Sequence, residues 1–176
     1  ILKMNKIITF FAILLLLSVS IYFFNKGNNT EFSLLNSTIN IDGKTFTLKD
    51  GIAKVGIPGS SSYETVRYFG NEAVGDLNGD GLEDIAFLVT SDSGGTGVFY
   101  YAVVAIKNAK GYTNTNAFLI GDRIAPQSTE IHSDSRELHV NFAIRKEGEP
   151  MSTPPSVGAV LLLKVSNSGI LEGLMK

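Results

Sequence analysis

Apolar positions follow two different rhythms along this chain. Residues 7–24 form a nearly unbroken apolar run of 18 residues, interrupted only by Thr9, Ser18 and Ser20. Beyond Lys26 the apolar residues come in short groups separated by Gly, Asp, Asn and Ser, the punctuation of strands and turns. Alternating stretches at 38–41, 44–49 and 52–55 are separated by Asp42-Gly43 and Asp50-Gly51. Asp-Gly readily supplies the two left-handed residues of a tight hairpin turn, so the pattern predicts a three-strand meander. A loop at 58–62 and a strand at 64–69 should follow, with room for at most one short helix near 60–65.

Residues 85–89 and 98–106 are continuously apolar and rich in β-branched and aromatic side chains, which favours strand over helix. A strand apolar on both sides must be covered on both sides. These two are therefore predicted to be central, adjacent and antiparallel, joined by a flexible tip at 91–97. Further strands are expected at 117–120, 129–132, 137–145 and 158–165, with an exposed charged and proline-containing loop at 146–156. The pattern as a whole predicts an all-β domain, an antiparallel sandwich or barrel-like sheet, preceded by an N-terminal transmembrane helix.

At about 1.5 Å per residue the apolar run is just long enough to cross a bilayer. Lys3 and Lys6 precede it, which places the N-terminus in the cytoplasm and the rest of the chain outside. Met4 reads as the natural start. Ser18-Val19-Ser20 offers a small-x-small exit, so secretion after signal cleavage is the alternative. The run continues through Ile21 into Tyr22-Phe23-Phe24, however, and aromatic residues suit a membrane interface, which favours a retained anchor. The chain is thus divided into an anchor or signal segment at 1–26, a tether at 27–36 and an extracytoplasmic domain at 37–176. The sequence contains no cysteine, so a lipid-anchored form and disulfide stapling are excluded, leaving the core or a bound ion to stabilise an exported domain. Residues after Lys26 carry 12 basic and 17 acidic side chains. With that acidic excess and no basic block, nucleic acid is a poor candidate partner.

The densest chemistry lies at residues 76–84, DLNGDGLED. Oxygen-bearing side chains fall on every second position at Asp76, Asn78 and Asp80, Gly81 permits a sharp turn, and Asp84 returns before an apolar strand. Hard oxygens at this spacing suit calcium. Measured against an EF-hand, Asp76, Asn78 and Asp80 take places one, three and five, the Leu82 carbonyl place seven and Asp84 place nine. Place twelve is Phe87 in place of a bidentate Glu, and the flanks are β-like, so an EF-hand is not expected. A metal-free polar turn is the competing reading, since Asn-Gly and Asp-Gly form turns unaided.

The segment GDLNGDGLEDIAFL, residues 75–88, resembles the D-x-N-x-D-G-x-x-D loop of FG-GAP and related β-repeat proteins, where the loop leads straight into a strand. The resemblance implies a structural calcium ion with Asp76, Asn78, Asp80 and Asp84 as side-chain ligands and Leu82 as a carbonyl ligand. The motif occurs once, so a propeller is not supported. More loosely, VGDLNGDGLEDIAFL, SGGTGVFYYAVVA and FLIGDRIAPQSTEI, within residues 64–165, are similar to a family of uncharacterised exported bacterial proteins. That resemblance implies location and class, and no activity.

Other candidates are weaker. If 133–136 makes a turn, His132 lies opposite Glu137 and Glu130 opposite His139, with all four on an outer face and Leu138, Val140, Phe142 and Ile144 inward. Cross-strand Glu–His pairs without a metal are expected there, a zinc site being the alternative. The glycine-rich 91–97 segment lacks a phosphate-loop signature and precedes a strand. Phe99-Tyr100-Tyr101, Tyr68 and Tyr112 read as core residues before a sugar platform, and Gly121-Asp122-Arg123 as a turn with an ion pair. The leading functional expectation is a calcium-stabilised module that binds an envelope protein or glycan. The alternative is an envelope-polymer hydrolase using Asp92, His132 or Glu130.

Overall fold

The computed structural model describes residues 32–174. The predicted span at residues 7–24 lies outside them, and among the described residues no helix is long and apolar enough to cross a membrane. The compact unit that begins at Ser33 is all-β: one 3₁₀ turn at Leu34–Asn36, then β1 (Thr38–Ile41), β2 (Lys44–Thr47), β3 (Ile52–Gly56), β4 (Tyr63–Gly75), β5 (Asp84–Asp92), β6 (Phe99–Asn108), β7 (Gly111–Asn114), β8 (Phe118–Asp122), β9 (Ala125–His132), β10 (Glu137–Ile144), β11 (Val157–Val165) and β12 (Leu171–Gly173).

Every strand ladder is antiparallel, and one isolated parallel bridge joins Asn40 to Asn116. β1 and β2 form a separate hairpin, β3 to β7 lie in sequence order in one sheet, and β9 to β12 make a second sheet in sequence order. Along the edge of β6 away from β5, β7 pairs with residues 105–108 and β8 with residues 99–102. The two sheets share one core: Ala86, Leu88, Ala102 and Val104 from β5 and β6 pack with Leu138, Val140, Phe142, Leu163 and Leu171, joined by Leu77 and Ile124.

The register of β5 on β6 pairs Ala86 with Val104 and Phe87 with Val103. Neighbouring residues of a strand face opposite ways, so Phe87, Val89, Tyr101, Val103 and Ala105 point away from the shared core. All are buried nonetheless, as are Ile39, Ile41, Phe46 and Leu48 of the hairpin region. The hairpin is held beside this second face by Ala117 N donating to Asn40 O at 2.8 Å and Asn114 Nδ2 to Thr38 O at 2.9 Å. β5 and β6 are thus a middle layer covered on both sides, as their continuous apolar runs require.

Both Asp-Gly turns adopt the left-handed pair expected of them, with φ of 49° and 79° at Asp42 and Gly43 and 50° and 82° at Asp50 and Gly51. The predicted three-strand meander does not form. The second turn closes one bridged pair, Lys49 with Ile52, because β3 finds a five-residue ladder against β4 while β1 turns to residues 114–117. Part of the expected tether is folded: Gly51 N donates to Leu35 O at 2.8 Å. The helix allowed near 60–65 is a turn leading into β4. β4 runs to Gly75, well past the expected end at 69, through two register shifts against β5. Gly70 and Asn71, at φ of 97° and 56°, interrupt its alternation there, which is why the sequence reads as if the strand had ended. Ile144, expected inward, is 40 % exposed at the end of β10, beyond the reach of the shared core.

Candidate metal centre

Residues 76–84 connect β4 to β5, and Gly75 pairs with Asp84 across the ladder, so the loop closes on its own neck. Its interior is a succession of short turns made by side-chain oxygens. Asp76 accepts from Gly79 N at 2.6 Å and Gly81 N at 2.9 Å. Asn78 Oδ1 accepts from Asp80 N at 2.9 Å, Asp80 Oδ1 accepts from Leu82 N at 2.8 Å, and Asn78 Nδ2 donates to Asp80 Oδ2 at 3.1 Å. The Gly81 N–H is the chief cause that holds the Asp76 carboxyl below its ordinary value, with the N–H groups of Gly79 and Asp80 and the charge of Arg136 acting the same way against a smaller desolvation effect than that of Gly81.

Asp84 behaves differently. It is fully buried, with Oδ2 accepting from Leu77 N at 3.0 Å and Oδ1 from Lys107 N at 2.9 Å. Burial pushes its pKa up and the charge of Asp80 adds to this, while the Lys107, Leu77 and Asn78 N–H groups oppose. The carboxylate ties the loop to the end of β6, and the buried Leu77 side chain pins it into the shared core.

The loop is also clamped to the second sheet. Asp76 N donates to Ser133 Oγ at 3.1 Å. A Cβ at Gly75 would sit 2.7 Å from Ile131 Cγ2, and one at Gly79, where φ is 81°, would collide with the Arg136 guanidinium. On another side, Asn78 forms one wall of an open cleft of about 430 Å³ completed by Ile106, Val165 and the turn Ser166–Gly169. Neither the clamp nor the cleft was signalled in the sequence, because both depend on how β9–β10 and β11–β12 stack on the loop.

No family model, no curated protein and no solved structure matches this chain.

What the loop can hold therefore follows from its own chemistry. Among the described residues no three His, Cys, Asp or Glu side chains converge closely enough to hold a metal ion. Asn78 and Asp80 are hydrogen-bonded to each other in the head of the loop, Asp76 is turned onto the Gly79 and Gly81 N–H groups, and Asp84 lies buried at the neck, near enough to feel the charge of Asp80. The donor set is nonetheless all hard oxygen, and a carboxylate that accepts two N–H groups keeps acceptor capacity in reserve. The residues fit calcium in kind.

The remaining candidates resolve into pairs. The 133–136 turn gives the expected register, Glu137 opposite His132 and His139 opposite Glu130. The two imidazole rings lie 4.1 Å apart, nearer than diagonal strand positions alone would place them. The Glu–His pairs that form are within strands and not across them as expected, because residues two apart share a face: His139 Nε2 is 3.0 Å from Glu137 and His132 Nε2 3.7 Å from Glu130, with Lys164 Nζ 3.8 Å from Glu137. Asp92 is bound by Arg67 at 2.6 Å and lies on a different sheet from Glu130 and His132. Tyr101 is buried, Tyr100 stacks edge-on with Phe69 at 5.4 Å, Tyr68 bonds Glu72, and Lys107 Nζ lies 4.6 Å from the Tyr112 ring centre. Asp122 is paired with Arg123, as the turn reading required.

Proposed function

We propose that the 76–84 loop takes a calcium ion through Asp76, Asn78, Asp80, Asp84 and the Leu82 carbonyl, and that the ion fastens the point where the two sheets meet. Asp84 carries the reading. A fully buried carboxylate compensated by N–H dipoles alone is costly to keep ionised, and a cation shared with the loop head removes that cost. The role is structural: the loop feeds the middle strand, so an ion bound to the folded state adds to its stability directly. Waters or a carboxylate from elsewhere must complete the shell, since Phe87 stands at place twelve. That points to modest affinity, on the order of 10⁻⁴–10⁻³ M, as in extracellular modules.

The wider proposal is a sandwich-like binding module held outside the membrane by residues 7–24, or released by cleavage there, whose partner is an envelope protein or glycan. Its support is the apolar run, the absence of cysteine and the acidic balance of the folded part.

The test is a thermal melt of the full chain in mild detergent, with calcium and with chelator. At ten times Kd the ion should contribute roughly 1.4 kcal/mol and a visible rise in Tm. Asp80→Ala should abolish the rise and leave a folded protein. Identical melts of the unaltered chain in both buffers refute the calcium site.

A further inference from the structure

We propose that Arg136 is the resident counter-charge of the 76–84 loop and sets how readily that loop takes a divalent cation. The inference rests on the calcium reading above and adds to it a residue from outside the motif, on the other sheet.

The loop holds four carboxylates, Asp76, Asp80, Glu83 and Asp84, and no basic residue. None of the four makes a direct ion pair among the described residues. The charge brought against them is Arg136, the last residue of the turn between β9 and β10. Its guanidinium rests on the backbone of Gly79, close enough that a Cβ there would collide with Cζ, Nε and Nη2, and the Gly79 N–H is donated to Asp76 Oδ1 at 2.6 Å. The turn that delivers it is anchored by Ser133 Oγ on Asp76 N at 3.1 Å and by Ile131 against Gly75. Arg136 itself has φ of 55°, a left-handed conformation that residues with a Cβ adopt at a cost.

A cation that lies against the loop without a direct ion pair keeps its field. In the ion-free state it relieves repulsion among the carboxylates; towards an arriving divalent ion it is repulsive. One positive charge roughly 7–10 Å from a doubly charged ion in watery surroundings changes affinity by about three- to tenfold.

The experiment is calcium titration by calorimetry of the chelator-treated full chain in mild detergent, comparing the unaltered protein with Arg136→Gln and Arg136→Lys at low salt and at about 1 M salt. Circular dichroism confirms the fold of each. Arg136→Gln should bind calcium about three- to tenfold tighter at low salt, with the difference shrinking at about 1 M, while Arg136→Lys stays near the unaltered value. An unaltered chain that takes no calcium beside an Arg136→Gln variant that does also supports the proposal, and shows the guanidinium standing in for the ion. Equal or weaker binding in Arg136→Gln overturns the proposal and leaves the calcium site intact. No binding in any of the three overturns both.

Discussion

Phe87 and Asp84 lie three residues apart on β5 and are both wholly shielded from water, for opposite physical reasons. Phe87 is buried because its ring gains by leaving solvent; Asp84 is buried in spite of its charge, for the sake of the two N–H groups it joins. Phe87→Ala should therefore cost about 3–5 kcal/mol in denaturant unfolding, the range for an aromatic cavity in a packed layer. A loss below about half a kcal/mol would mean the second face of β5 is not a core. Glu137 gives a pH prediction. Its carboxyl is held below its ordinary 4.5 chiefly by the His139 hydrogen bond, with the charges of Lys164 and His139 assisting and desolvation opposing. A lowered folded pKa means the stabilisation is complete above the unfolded value and is lost as pH falls through the folded one. Glu137→Gln should flatten the fall of Tm below about pH 4.5. An unchanged slope would show that the His139 contact does not persist in solution.

At the scale of elements, the close approach of β4 and β9 depends on a missing side chain. Gly75→Ala places a methyl 2.7 Å from Ile131 Cγ2 and 3.0 Å from Ser133 Oγ, so the sheets must part at the loop. A cost of about 1–3 kcal/mol is expected, with weaker calcium binding if the clamp positions the loop; unaltered stability and binding would show that the contact is slack. The elements that the sequence announced are those whose signal is local. β5 and β6 were legible from unbroken apolar runs, the two turns from Asp-Gly, and the β9–β10 register from a four-residue turn. What was not legible is non-local. The second half of β4 is disguised by bulges at Gly70 and Asn71, β7 and β12 are too short to show a period, and the departure of β3 from the hairpin is decided by which neighbour offers the longer ladder.

Over the whole molecule, the shared core draws residues from both sheets, so unfolding should be a single transition, with amide exchange slowest in β5 and β6. Fast exchange of Phe87 and Val103 amides relative to β10 would contradict the layered arrangement. The candidate site follows the same division between local and distant signals. Its oxygens were written in the sequence at Asp76, Asn78 and Asp80. The burial of Asp84 against Lys107 N, and the reach of Arg136 from the β9–β10 turn, arise only when distant strands fold around the loop.

The hairpin beside one face of β5 and β6 also comes first among the described strands. A mechanical load arriving through residue 33 therefore acts on β1 before any other strand. β1 holds a four-residue ladder to β2, one parallel bridge at Asn116 and the Asn114 side chain on Thr38 O, with Leu35 tied to Gly51 N before it, fewer ladder positions than the seven that join β5 to β6. Under tension the molecule should peel from this outer layer, uncovering Phe87 and Val103 while the sheets behind them are still closed.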